Sequence, residues 1–174
     1  MTPDELKVAV AEYYRYEKQF PLVAFEASGR LKAWSIDRAD VLVLSKKREL
    51  IEIEVKVSRA DFRRDRDKQK HWLMREHPAD YPPNYFYFAV PIAIANDVSY
   101  ACDQLYTYAG VLASDGKAPH STAAASSIHV YREARQLNDG KLSLLNIAQL
   151  VKEQSGTLCR LARDLTELKQ KSGA

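Results

Sequence analysis

The sequence predicts an α/β fold, with a mixed central sheet flanked by helices and further helices at the C-terminal end. Three observations predict it. Residues 49–57 alternate apolar and charged side chains in a β-branched run, the pattern of a strand. Thr2-Pro3-Asp4-Glu5 and Ser58-Arg59-Ala60-Asp61 carry helix-start signals on either side of the strand candidates. Residues 144–168 repeat apolar side chains at alternating steps of three and four. A chain of 174 residues fits one domain with an ordinary core. The expected organisation is a single domain over 1–174, with 141–170 as a helical C-terminal extension.

In chain order, Thr2 is the expected N-cap of a first helix, Pro3 its first-turn residue and Glu5 its capping partner. Leu6, Ala9, Val10, Tyr13 and Glu17 then share a face. Residues 22–27 read as a strand. Gly29-Arg30 marks a break, and residues 32–36 are a connection or a further strand. Residues 39–44 read as a strand, mostly apolar on both faces, and Ser45-Lys46-Lys47-Arg48 is a polar break suited to a hairpin connection of about two to five residues. Residues 49–57 follow as a strand. A helix is expected from Arg59 towards Glu76, ending before Pro78, with Phe62, Gln69, Trp72, Leu73 and Glu76 facing the sheet. Residues 85–90 are a buried-strand candidate closed by Pro91. Residues 105–113 and 128–131 read as two more strands around a Ser-, Ala- and Gly-rich loop.

Composition excludes several classes. No apolar run approaches the roughly 18–20 residues of a membrane span. The acidic, polar start is unlike a secretory signal. Cys102 and Cys159 stand far apart in no motif, so a reduced, cytoplasmic setting is expected. Two cysteines also cannot supply the four thiolates of an iron–sulfur cluster. A net charge of +3 is small, so any nucleic-acid binding must come from a local patch.

The chemistry starts with the hairpin. Folding about Lys47 pairs residues whose numbers sum to about 94, which sets Asp40 opposite Glu54 and Leu42 opposite Glu52. Opposed residues of an antiparallel pair have Cβ atoms about 4.5–5.5 Å apart, and like charges there repel. A divalent cation between the carboxylates reverses that sign. Mg²⁺ is held by one or two carboxylates, with water and phosphate completing the octahedron. Lys56 stands one pleat from Glu54 on the same face, within reach of a phosphate.

Asp40, then thirteen residues, then Glu54-Val55-Lys56 resembles the PD-(D/E)XK nuclease superfamily with its restriction-endonuclease-like core. More narrowly, the chain resembles the MmcB-like family of DNA-repair proteins. The resemblance lies in Arg38-Ala39-Asp40-Val41-Leu42-Val43-Leu44, in the run from Glu52-Ile53-Glu54-Val55-Lys56 through Val57-Ser58-Arg59-Ala60-Asp61-Phe62-Arg63-Arg64-Asp65, and in Tyr87-Phe88-Ala89-Val90-Pro91 and Ala109-Gly110-Val111-Leu112. It covers most of residues 38–132. The bare Asp…Glu-x-Lys pattern is common, whereas the Glu-x-Lys-x-Ser-x-x-Asp-Phe-Arg run is far more specific. Ala39 stands where the superfamily name places Pro. The resemblance implies a metal-dependent DNA endonuclease or exonuclease, acting in repair or recombination. Asp40, Glu54 and the Val55 carbonyl would hold Mg²⁺ or Mn²⁺, and Lys56 would orient or help deprotonate the attacking water. The alternatives are a non-cleaving nucleic-acid-binding protein on the same fold and a structural or adaptor protein.

Basic residues concentrate just after this strand. Ser58, Arg59, Arg63, Arg66 and Lys70 are the candidate nucleic-acid contacts, with the arginines and Lys70 on one helix face. The plainer reading of that face is solvated Asp–Arg pairing. Glu12, Glu17 and Glu26 are candidates for an additional acid, Glu52 for a supporting or surface acid, and Asp37 for a rival to Asp40. Gln69 reads as a packing residue. His71, His77, His120 and His129 lack metal-ligand spacing and read as structural or solvated. From Leu144 through Leu168 the apolar steps form a heptad seam with Gln154 as its polar position. That seam fits either helices packed on the core or a homodimer, and Gly156-Thr157 suggests a stop and restart, hence two helices.

Overall fold

Thr2 caps the first helix, α1 (Pro3–Glu12), as the sequence predicts. Its hydroxyl accepts from Glu5 N–H at 3.2 Å, and Glu5 Oε2 accepts from Thr2 N–H at 2.7 Å. A π-helical turn, Tyr13–Glu17, extends the helix. Leu6, Val10 and Tyr13 enter the core, while Glu17 stays exposed. This computed structural model describes residues 1–27, 38–116 and 127–172. The expectations for Gly29, Arg30, residues 32–36, Asp37, His120 and most of the loop after β5 fall outside them. The chain divides into two units, Met1–Leu142 and Ser143–Ala174.

The first unit is built on a six-stranded mixed sheet in chain order: β1 (Leu22–Ala27), β2 (Ala39–Leu44), β3 (Leu50–Val55), β4 (Tyr85–Pro91), β5 (Gly110–Ser114) and β6 (Ile128–Arg132). β1–β2, β2–β3 and β5–β6 are antiparallel, and β3–β4 and β4–β5 parallel. The β2–β3 register pairs Val41 with Ile53, Leu42 with Glu52 and Val43 with Ile51, the sum of 94 read from the sequence. Arg48 closes this hairpin in the left-handed region, with φ 62°, and Arg48 N–H donates to Ser45 O.

Alternation on β3 divides the interior. Ile51, Ile53 and Val55 face α1 with Val41, Val43, Tyr87 and Leu112. Glu52 and Glu54 point to the other side, beside Phe86 and Phe88, their parallel partners on β4. On that side lie α2 (Arg59–Arg64), α3 (Gln69–Glu76) and α4 (Ile92–Leu105). The single helix expected over 59–76 is therefore two. A 3-10 turn, Asp65–Asp67, follows α2, and Lys68 is extended with ψ 131°. This break shifts the helical phase, so Lys70, His71, Leu73 and Met74 turn inward and Trp72 and Gln69 outward.

Helix α4 was not expected, because its buried Ala95, Val98 and Cys102 make only a thin stripe among polar residues. It takes Leu105, which the sequence reading gave to a strand, and β5 starts at Gly110. A Cβ at Gly110 would stand 2.3 Å from the Tyr87 ring and 2.7 Å from Ala134 N, so that crossing requires glycine. Asn84 and Asn138 tie the irregular segments together. Asn84 Oδ1 accepts from Leu50 N–H at 2.7 Å, and Asn138 Nδ2 donates to Tyr81 O and Pro83 O.

The second unit is one helix, α5 (Leu144–Ser172), continuous through Gly156 where the sequence suggested a break. An interior glycine costs a helix about 1 kcal/mol against alanine, which flanking helical residues absorb. Among the described residues no helix is long and apolar enough to cross a membrane.

Candidate active site

Glu52 and Glu54 occupy a strand whose every residue is buried, so β3 is no solvated edge. Burial of a carboxylate requires partners. Glu54 has three ammonium groups: Lys56 at 3.2 Å and Lys68 at 2.8 Å on Oε2, and Lys70 on Oε1. Glu52 accepts from Lys70 at 2.8 Å and from the Tyr81 hydroxyl at 2.6 Å. Lys56 and Lys68 both reach Asp65 Oδ1 at 2.6 Å. His71 Nε2 meets the other oxygen of Asp65 at 2.6 Å, and His71 Nδ1 meets the Tyr108 hydroxyl at 2.7 Å. Three carboxylates, Glu52, Glu54 and Asp65, thus face three lysines, Lys56, Lys68 and Lys70.

The protonation states follow from competition between burial and these partners. Burial pushes the Glu54 carboxyl up, but Lys70, Lys56 and Lys68 outweigh it and hold it below the usual range. Burial likewise opposes ionisation of Asp65, and hydrogen bonds from His71, Lys56 and Lys68 overcome it decisively, leaving the carboxyl far below its ordinary value. Glu52 goes the other way: its burial is complete, and Lys70 and Tyr81 compensate only in part, so it is raised. Burial opposes the charge of Lys56, yet Asp65 and Glu54 raise it above the ordinary lysine value.

Asp40 stands at the end of the same strand pair. The register continued by one residue sets it opposite Glu54. Its Oδ2 accepts from Val55 N–H at 2.8 Å, and its Oδ1 lies 3.5 Å from Lys7 Nζ. Burial first, then the charge of Glu54, holds the Asp40 carboxyl above its usual range, against the Val55 N–H and Lys7. Lys7 also pairs with Glu26, whose left-handed backbone (φ 48°) interrupts β1, and Arg38 reaches Glu26 at 2.8 Å. Of the three candidate additional acids, Glu26 is tied to Asp40 through Lys7; Glu12 is half-buried, with no ion pair to the cluster among the described residues, and Glu17 is exposed.

Asp40 and Glu54 are hard oxygen donors, the ligand type a divalent cation takes. Asp40 and Glu54 offer oxygen ligands of one charge sign, and their mutual repulsion is what a cation would relieve. Among the described residues no three acidic, His or Cys side chains gather as a metal site. A pair of carboxylates is the sparse kind of protein ligand set that Mg²⁺ completes with water. A cation at Glu54 meets the three ammonium groups already there. Lys68, 38 % exposed against 7 % for Lys56 and 2 % for Lys70, is the one with solvent to move into.

The arginine face is reorganised. Ser58 caps α2, accepting from Asp61 N–H at 3.1 Å, and is exposed. Arg59 pairs with Asp97 of α4. Arg63 and Arg66 are exposed and have no acidic partner among the described residues. Lys70 leaves that face altogether: it is buried between Glu52 and Glu54, because the extended Lys68 rotates α3 relative to α2. The residues missed in the sequence are Lys7, Asp65, Lys68, His71, Tyr81 and Tyr108. The signal within reach was Asp65 among so many basic residues, where a helix break would draw it inward. Of the four histidines, His71 lies in the cluster, and His77 and His129 are exposed.

No family model matches the sequence, and no curated protein matches it. A solved structure, the SPO1766 protein of unknown function from Silicibacter pomeroyi, is similar, with a TM-score of 0.57 and 21% identity over 97% of this chain and 94% of that one. At that identity the likeness shows a shared fold.

Proposed function

We propose that this chain is a metal-dependent DNA nuclease of the PD-(D/E)XK kind, close to the MmcB-like family, working in the cytoplasm in DNA repair or recombination. One observation carries the reading: the β2–β3 register brings Asp40 and Glu54 to one place and Lys56 onto the same Glu54 carboxylate. Asp40, Glu54 and the Val55 carbonyl would hold Mg²⁺ or Mn²⁺. Such an ion polarises a phosphodiester and acidifies a water molecule. Lys56 is kept as an ammonium by Asp65 and Glu54, so its part is to hold charge on the phosphate in the transition state. Asp65, fixed by His71, positions that ammonium. Glu52 and Lys70 fix the far oxygen of Glu54.

A second reading is a nucleic-acid-binding protein that does not cut. The observation favouring it is the trio of lysines, which already neutralises Glu54 without a metal. Cleavage assays separate the two. Single-stranded and supercoiled double-stranded DNA are incubated with pure protein and Mg²⁺ or Mn²⁺. Lys56→Ala is expected to lose about 100-fold or more of the cleavage rate, the usual weight of one charge-stabilising group. Asp40→Asn, at the less buried end of the cluster, should do the same while folding normally. Equal rates in wild type and both variants would end the nuclease reading. The exposed seam of α5, with Leu158 68 % and Leu165 58 % exposed, supports a homodimer as a subsidiary proposal.

A further inference from the structure

Arg59, Arg63 and Arg66 stand on α2 and the turn that follows it. The fold puts a second helix opposite them. Helices α2 and α4 border an open groove of about 860 Å³, lined by Arg59, Arg63 and Arg66 from one side and by Tyr100 and Leu105 from the other. The acids in this groove are neutralised: Asp97 by Arg59 and Asp103 by Arg132. What remains is the uncompensated charge of Arg63 and Arg66, both exposed and unpaired among the described residues.

The opposite wall supplies flat apolar surface. Tyr100 is 70 % exposed, far more than a tyrosine packed for stability, and Leu105 beside it is 39 % exposed. The groove floor is fixed, because Phe62 of α2 meets Tyr106 edge-on with ring centroids 5.7 Å apart. Two guanidinium groups with no acidic partner among the described residues, lining one groove with an exposed ring, form the combination that tracks a phosphate backbone and stacks a base. In a duplex the faces of the bases are covered by their neighbours, and a surface tyrosine has nothing to stack on. An acidic peptide could satisfy the arginines and would leave the ring idle.

We propose that the α2/α4 groove binds single-stranded nucleic acid, with Arg63 and Arg66 on the phosphates and Tyr100 stacked on an unpaired base. The proposal deepens the nucleic-acid reading above and rests on it for the class of ligand. Cleavage plays no part in its test. Binding of a fluorescein-labelled 15-mer of thymidine to the full chain is followed by anisotropy in EDTA, across a salt series. Arg63→Ala/Arg66→Ala should weaken binding at least tenfold and flatten the log–log salt slope by about 1.4, since each phosphate contact on a single strand contributes about 0.7. Tyr100→Ala should weaken binding about tenfold with the slope unchanged, and Tyr100→Phe should restore it. All of these side chains are on the surface, and circular dichroism verifies that the variants fold.

The proposal is overturned if Tyr100→Ala binds like wild type, or if a duplex or polyglutamate competes as well as the single strand. Inactive wild-type protein showing the expected binding pattern would remove the nuclease reading and leave the groove assigned. Metal-dependent cleavage with unchanged binding in the groove variants would do the reverse.

Discussion

The stretch from Lys56 to Arg75 sends its cations to two unlike places. Lys56, Lys68 and Lys70 converge on three carboxylates under α2 and α3, and Lys56 and Lys70 are almost wholly removed from water. Arg63 and Arg66, a few residues away, stand in solvent with no acidic partner among the described residues. A charge count along the sequence treats both sets alike. Their consequences differ, because a buried charge is held to its partners by its own desolvation, while an exposed one stays free for a ligand. The buried set can tune and hold a reactive group, and the exposed set can capture a polyanion.

The largest test of this contrast is Lys70→Ala, which removes the ammonium that Glu52 and Glu54 share in the interior. Loss of one partner from a buried ionic set costs about 3–5 kcal/mol, read as a lower midpoint in urea. Adding Glu52→Gln to Lys70→Ala should recover part of the loss. A Lys70→Ala protein as stable as wild type would show that the buried set has no special standing. An intermediate effect is expected at Asp65. Its carboxyl is depressed in the folded chain, so its ionisation contributes stability fully above the unfolded value of about 3.9 and loses it as pH falls further. Asp65→Asn should therefore be less stable than wild type at pH 7, with the gap narrowing from about pH 4 downward. A gap of constant size from pH 7 to pH 3 would exclude this linkage. The smallest effect belongs to Arg64→Ala, which removes a solvent-exposed pair with Asp61 at 3.5 Å. Thermal denaturation should place it within about 0.5 kcal/mol of wild type.

The sequence carried the fold where periodicity and local chemistry agree. The capping box at Thr2, the strand at Leu22–Ala27 and the 94-sum register all follow from residue patterns within a few positions of one another. Asp40, Glu54 and Lys56 were legible for the same reason, since a tight hairpin fixes which residues oppose. The rest of the cluster was not legible. Lys68 and Lys70 lie fourteen and sixteen residues from Glu54, and their direction depends on a break that helix propensity does not announce. A lysine beside a tryptophan and a histidine looks the same whether it points outward or inward. Only the competition for Glu52 and Glu54 decides, and that is a tertiary matter. Helix α4 escaped notice for a similar reason, because its buried face rests on small residues such as Ala95 and Cys102.

Asn138 has a consequence for the order in which the chain matures. Its amide donates to Tyr81 O and Pro83 O, and so fastens the segment whose Tyr81 hydroxyl covers Glu52. During synthesis, residue 81 leaves the ribosome well before residue 138, so until then the segment over Glu52 is held by Asn84 at Leu50 and by the Tyr81 hydroxyl, without the Asn138 amide. A truncated product ending before that asparagine would lack the two bonds that join its late segment to Tyr81 and Pro83, however well its strands had paired.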